Sequence, residues 1–131
     1  MARCSATVEK KGKMKVLIVE DEIFVALHLE SAIQELGCEV VGIAPDQATA
    51  LELARIKPDL AFVDLNLRDG LTGPQIARTL ANQFGTKVLI LTANPAQAGE
   101  KFDGLVGVMS KPWNEAELAQ SLREVVESKA D

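Results

Sequence analysis

The chain has 131 residues, 47% hydrophobic and 25% charged, with a formal net charge of −5. That size and mixture suit one globular core, and the acidic balance argues against nucleic acid or an anionic membrane surface as a partner. Two cysteines are too few for a disulfide framework, no apolar run is long enough to cross a bilayer, and no signal-peptide core opens the chain. A cytoplasmic, soluble domain is the expectation.

Residues 1–14 are polar and lysine-bearing, and read as a disordered N-terminal extension that leaves 15–131 as one domain. Val16–Val19 is a short apolar run of buried-strand type that ends in Glu20, Asp21 and Glu22. Spacing then switches to helical over Ile23–Leu36, with Val25, Leu29, Ala32, Ile33 and Leu36 on one face and Gly37 as the stop. Cys38–Ile43 forms the second strand, and Cys38 reads as a buried thiol. Asp46 caps a helix to about Arg55 that turns Leu51 and Ala54 inward, and Pro58 closes it.

Leu60–Val63 is apolar without alternation, the pattern of a strand buried on both faces, and Asp64 stands at its end. Gly73-Pro74 opens a third helix, with proline in its first turn and Ile76, Ala77 and Leu80 as its apolar face. Lys87–Leu91 is the fourth strand, ending in Thr92. Pro95, Gly99 and Gly104 leave room for only a short helix within Asn94–Asp103. Leu105–Met109 is the fifth strand and runs into Ser110-Lys111-Pro112. Asn114 and Glu117 are spaced for a reciprocal cap, and Leu118, Leu122, Val125 and Val126 form the stripe of the last helix.

Five strands alternating with five helices predict an α/β fold, a doubly wound parallel sheet covered on both faces. Right-handed crossovers bring every strand's carboxyl end to one edge. Glu20, Asp21, Asp64, Thr92 and Lys111 therefore gather there, in the crevice where open α/β sheets bind ligands. Carboxylates held close together in a partly buried crevice repel, so one takes a proton or a cation sits among them. All-oxygen donors without a nearby histidine or cysteine favour Mg²⁺. His28 lies inside the first helix and reads as a surface or half-buried residue there. A carboxylate can also be a nucleophile that forms an acyl phosphate. Transfer of a phosphoryl group needs its oxygens neutralised by a metal, a hydroxyl and a cation. Asp64 with Mg²⁺, Thr92 and Lys111 meets that need.

The segments Val16-Leu17-Ile18-Val19-Glu20-Asp21-Glu22, Phe62-Val63-Asp64-Leu65-Asn66-Leu67, Leu91-Thr92-Ala93 and Ser110-Lys111-Pro112 resemble the receiver domain of two-component response regulators. The resemblance runs from Lys15 to about Ser128. It implies a flavodoxin-like fold with strand order 2-1-3-4-5, and Asp64 as acceptor of a phosphoryl group from a sensor histidine kinase or histidine phosphotransfer protein. It implies Mg²⁺ on Asp21, Asp64 and the backbone carbonyl of Asn66, with Glu20 nearby, and Thr92 and Lys111 on the phosphoryl oxygens. It also implies a cis Lys111-Pro112 bond.

Three features depart from the family pattern. Glu20-Asp21 stands where many relatives have two aspartates. Val108 occupies the position of an aromatic switch residue, so the readout must run by another route. The interval from Thr92 to Lys111 is short, as in stand-alone receivers with an atypical fourth helix, though Ala93-Asn94 does not match their glycine-containing motif. The expectation is a single-domain regulator without a DNA-binding module, monomeric or dimerising on phosphorylation, acting by binding a downstream protein or by phosphate transfer, and not an enzyme in the usual sense. A receiver-fold docking module that is never phosphorylated is the alternative. A haloacid-dehalogenase-type phosphatase fits less well, because its nucleophile follows the first strand. A flavodoxin-like cofactor binder is disfavoured by the acidic Glu20-Asp21-Glu22 loop, which repels phosphate.

Overall fold

The computed structural model describes residues 13–67, 70 and 72–130; residues 1–12, most of the expected extension, lie outside the described residues. The strands are β1 (Lys15–Val19), β2 (Glu39–Ala44), β3 (Leu60–Asp64), β4 (Lys87–Thr92) and β5 (Leu105–Ser110). They form one parallel sheet in the order β2-β1-β3-β4-β5, the expected flavodoxin-like arrangement. The helices are α1 (Ile23–Glu35), α2 (Gln47–Ala54), α3 (Gly73–Phe84) and α4 (Glu115–Ala130).

Four α-helices are found among the described residues, where five were expected. The connection between β4 and β5 makes only a 3₁₀ turn, Pro95–Ala98. Pro95 stands at the first position of the turn, where a missing N–H costs nothing, and the turn is stopped by Gly99 and Gly104, which sit at φ of +74° and +100°.

The sheet separates two apolar layers. Ala26, Leu29 and Ile33 of α1 and Leu118, Leu122 and Val125 of α4 pack on one face, around Phe62 and Leu89. Ala50 and Ala54 of α2 and Ile76, Ala77 and Leu80 of α3 pack on the other, around Leu17, Val63 and Ile90. Each large apolar side chain buried in this way contributes about 1.5–3 kcal/mol. β3 lies in the middle and is buried at all five positions, which fixes Asp64 at its end.

The local signals hold in detail. The Asp46 carboxylate accepts from Thr49 N–H at 2.9 Å. Asn114 and Glu117 cap reciprocally at 3.1 and 2.8 Å. Four helix positions differ from the expected inward set. Leu36 and Val126 are 45% and 49% exposed, and Val25 and Leu51 are half-buried while Ala26 and Ala50 take the inward places. No described helix is long and apolar enough to cross a membrane.

Candidate functional site

Glu20 continues β1 by one residue, its N–H donating to Ala44 O at 2.9 Å. Its side chain is held inward, 1% exposed, accepting from Glu22 N–H at 3.1 Å and from Lys111 Nζ at 3.0 Å. Burial raises the Glu20 carboxyl from 4.5 to about 7, against the opposing pull of the Lys111 hydrogen bond and the Glu22 N–H. The Asp64 carboxylate accepts from Lys111 Nζ at 3.0 Å and from Asn66 N–H at 3.1 Å. One ammonium thus bridges two carboxylates from different strands. Desolvation alone would lower the pKa of Lys111; the hydrogen bonds to Glu20 and Asp64 outweigh it and raise it.

Asp21 is half-exposed at the mouth. One carboxylate oxygen from each of Glu20, Asp21 and Asp64 lies within 4.8 Å of the other two. These donors fit a hard divalent cation: all are oxygens, they lie close together, and two of the three carboxylates are buried. The site therefore takes the sequence-expected Glu20, Asp21, Asp64 and Lys111 into one cluster. Lys111-Pro112 is cis.

Thr92 ends β4 beside this cluster, opposite Ser110, and is fully buried. Its hydroxyl does not meet Asp64. It donates to Asn94 O at 3.1 Å and accepts from Asn94 N–H at 3.0 Å. Asn94 in turn caps the 3₁₀ turn, its Oδ1 accepting from Ala96 N–H at 3.3 Å. Asn66 reaches the same turn from the β3 loop, its Nδ2 donating to Gln97 Oε1 at 3.4 Å.

Sequence reasoning missed Gly73, Asn94 and Gln97. A Cβ at Gly73 would collide with the Asp64 carbonyl and the Leu65 backbone, so α3 starts against the loop that carries Asp64 only because glycine stands there. The adjacent Gly-Pro pair signalled a helix start but not this approach. In the first turns of α1, which follow Glu20-Asp21-Glu22 directly, Ile23, Phe24 and Leu27 are 54%, 84% and 45% exposed. His28 is an exposed helix residue, as expected, and stacks on Trp113 with ring centroids 4.8 Å apart.

The family model described as "Response regulator receiver domain" matches residues 16–123. The chain belongs to that family. Among curated relatives, this receiver is 30% identical over 109 residues to the "Phyllosphere-induced regulator PhyR" of Methylorubrum extorquens, covering 80% of this chain and 40% of the relative. It is 35% identical over 111 residues to the "KDP operon transcriptional regulatory protein KdpE" of Escherichia coli, covering 82% of this chain and 49% of that one. The receiver thus spans less than half the length of either. Among solved structures, the receiver domain of Erythrobacter litoralis PhyR superposes with a TM-score of 0.80 at 28% identity, covering 89% of this chain and 92% of that one. Receivers are signalling regulators, not enzymes in the usual sense, and the family match supports a two-component role.

Proposed function

We propose that this receiver accepts a phosphoryl group on Asp64 from a phosphohistidine of a sensor histidine kinase or histidine phosphotransfer protein, and reports it to a downstream protein through the segment after β4. The observation that carries the reading is the Asp64 carboxylate, nearly buried at the end of the central strand and bridged by Lys111 to Glu20.

Asp21, Asp64 and the Asn66 carbonyl, with Glu20 nearby, would hold Mg²⁺, which when bound supplies positive charge to the phosphoryl oxygens. The Asp64 oxygen forms a bond to phosphorus as the N–P bond of the donor breaks, and the electron pair leaves with the imidazole nitrogen. Lys111 already sits 3.0 Å from Asp64 and keeps its charge, so it follows the new oxygens with little movement. Ile23, Phe24 and Leu27, exposed in the first turns of α1, offer the donor an apolar seat.

The readout runs through Thr92. Turning its hydroxyl toward a phosphoryl oxygen removes both hydrogen bonds that it makes to Asn94. Asn94 then loses its anchor, and the 3₁₀ turn that it caps loosens. Val108 needs no ring for this coupling.

The test is intact mass after incubation with a small phosphodonor and Mg²⁺. One phosphoryl group is expected on the wild type and none on Asp64→Asn. Modification of the variant to the same extent, or none of the wild type, would overturn the assignment.

A further inference from the structure

The sheet ends on an open strand edge at β5. Among the described residues β5 is the last strand of the sheet and pairs only with β4. Lys111 N–H donates to Thr92 O at 2.9 Å, so alternation along a parallel ladder turns the backbone groups of Met109 and Gly107 toward β4 and those of Val108 and Ser110 outward. Clefts of about 410 and 480 Å³ flank this edge. The first runs between β5 and the Pro95–Gly99 region, the second between β5 and α4, and Val108, 43% exposed, lines both. Such an edge is commonly blunted by an inward lysine or a proline, and Leu105–Ser110 contains neither.

The two clefts differ in chemistry. The α4 side carries Glu117 and Glu124 with Gln120 between them. The turn side is lined by Pro95, Ala98, Leu105 and Val108, with Lys101 as its charge. A strand laid along β5 would direct alternate side chains into each cleft. A second copy is a poor occupant: antiparallel pairing of β5 with itself places both α4 helices on one face of the joined sheet, and so Glu117 and Glu124 near their own copies.

We infer that the outer edge of β5 binds an extended segment of a partner protein by strand addition, the segment alternating basic residues toward Glu117 and Glu124 with apolar residues toward Ala98 and Val108. Main-chain pairing at Val108 and Ser110 supplies affinity, and the unlike clefts supply register. The surface needs no phosphoryl group on Asp64, so its test is independent of the phosphoacceptor assignment.

The probe is a short synthetic peptide of alternating lysine and valine with blocked ends, titrated into the isotope-labelled full chain. Saturable shift changes and slowed amide exchange at Val108 and Ser110 are expected. N-methylation of the peptide backbone along the pairing edge should weaken binding at least about tenfold, as should the double change Glu117→Gln with Glu124→Gln. Val108→Pro removes an outward donor that β4 does not use, and should weaken binding while β4 pairing persists. Equal binding by the N-methylated peptide, equal binding by a glutamate–valine peptide, or shifts centred on Glu20 and Asp21 would each overturn the inference. So would a β5-paired dimer of the chain itself that excludes the peptide.

Discussion

Two connections cross the same face of the sheet, and they differ in how much they cover. α3 carries the chain from β3 to β4 and buries Ile76, Ala77 and Leu80 completely. The β4–β5 connection makes four residues of 3₁₀ turn, none of them buried, and packs on that face through the half-buried Ala98 and Phe102, with Arg78 of α3 lying 5.0 Å over the Phe102 ring. The consequence is visible on the strands beneath. Val63 and Ile90 are sealed, whereas Val108 is 43% exposed. A crossover that buries its own apolar stripe is expensive to move. One that is held by a few polar contacts is cheap to move, and here those contacts begin at the site.

The largest expected effect breaks the covered side. Leu80→Ala should cost about 2–5 kcal/mol of unfolding free energy, read by denaturant titration. Gln97→Ala, on the exposed turn, should stay within about 0.5 kcal/mol. Comparable losses at the two positions would mean that the turn carries far more of the fold than its burial suggests.

Next comes the pH dependence of the metal-free protein. Glu20 is raised from 4.5 to about 7 in the fold, chiefly by burial, so between those values the folded state holds more protons than the unfolded one. Stability must therefore fall as pH rises through that window, by on the order of 3 kcal/mol at about 1.4 kcal/mol for each pK unit. Glu20→Gln keeps an oxygen for Lys111 and removes the titration. It should flatten the profile and exceed the wild type at pH above about 7. Identical slopes in both proteins would assign the titration elsewhere.

A smaller effect sharpens the open side. Thr92→Val keeps the shape of a buried residue and deletes both hydrogen bonds to Asn94, at about 1 kcal/mol. Amide exchange at Asn94 and Ala96 should quicken without any phosphoryl group. Unchanged exchange would show that the hydroxyl does not hold the turn.

Much of this was legible in the chain itself. Four of the five strands are short apolar runs closed by a chemically distinct residue, so Glu20, Asp64, Thr92 and Lys111 could be placed at one edge by topology. The core faces of α1, α3 and α4 followed from helical spacing, except near helix ends. Leu36 and Val126 carry the stripes onward, yet both line a surface cavity of about 340 Å³ between α1 and α4. Pro95 and Gly99 announced a weak helix, but spacing could not say that only Pro95–Ala98 would turn. The bond between Thr92 and Asn94 was invisible, because a hydroxyl's choice of partner depends on backbone two residues away. Gly73 was hidden for a related reason: what it must admit is the main chain of Asp64 and Leu65, which the intervening loop folds back against it.

The central claim is that charge added at Asp64 leaves the site through Thr92 and Asn94 into the open connection. Hydrogen exchange in the presence and absence of Mg²⁺ with beryllofluoride, a mimic of the phosphoryl group, tests it most directly. The account predicts faster exchange at the amides of Asn94 and Ala96 in the modified state, with α3 unchanged. Constant protection at those two amides, with all changes confined to α1, would contradict it.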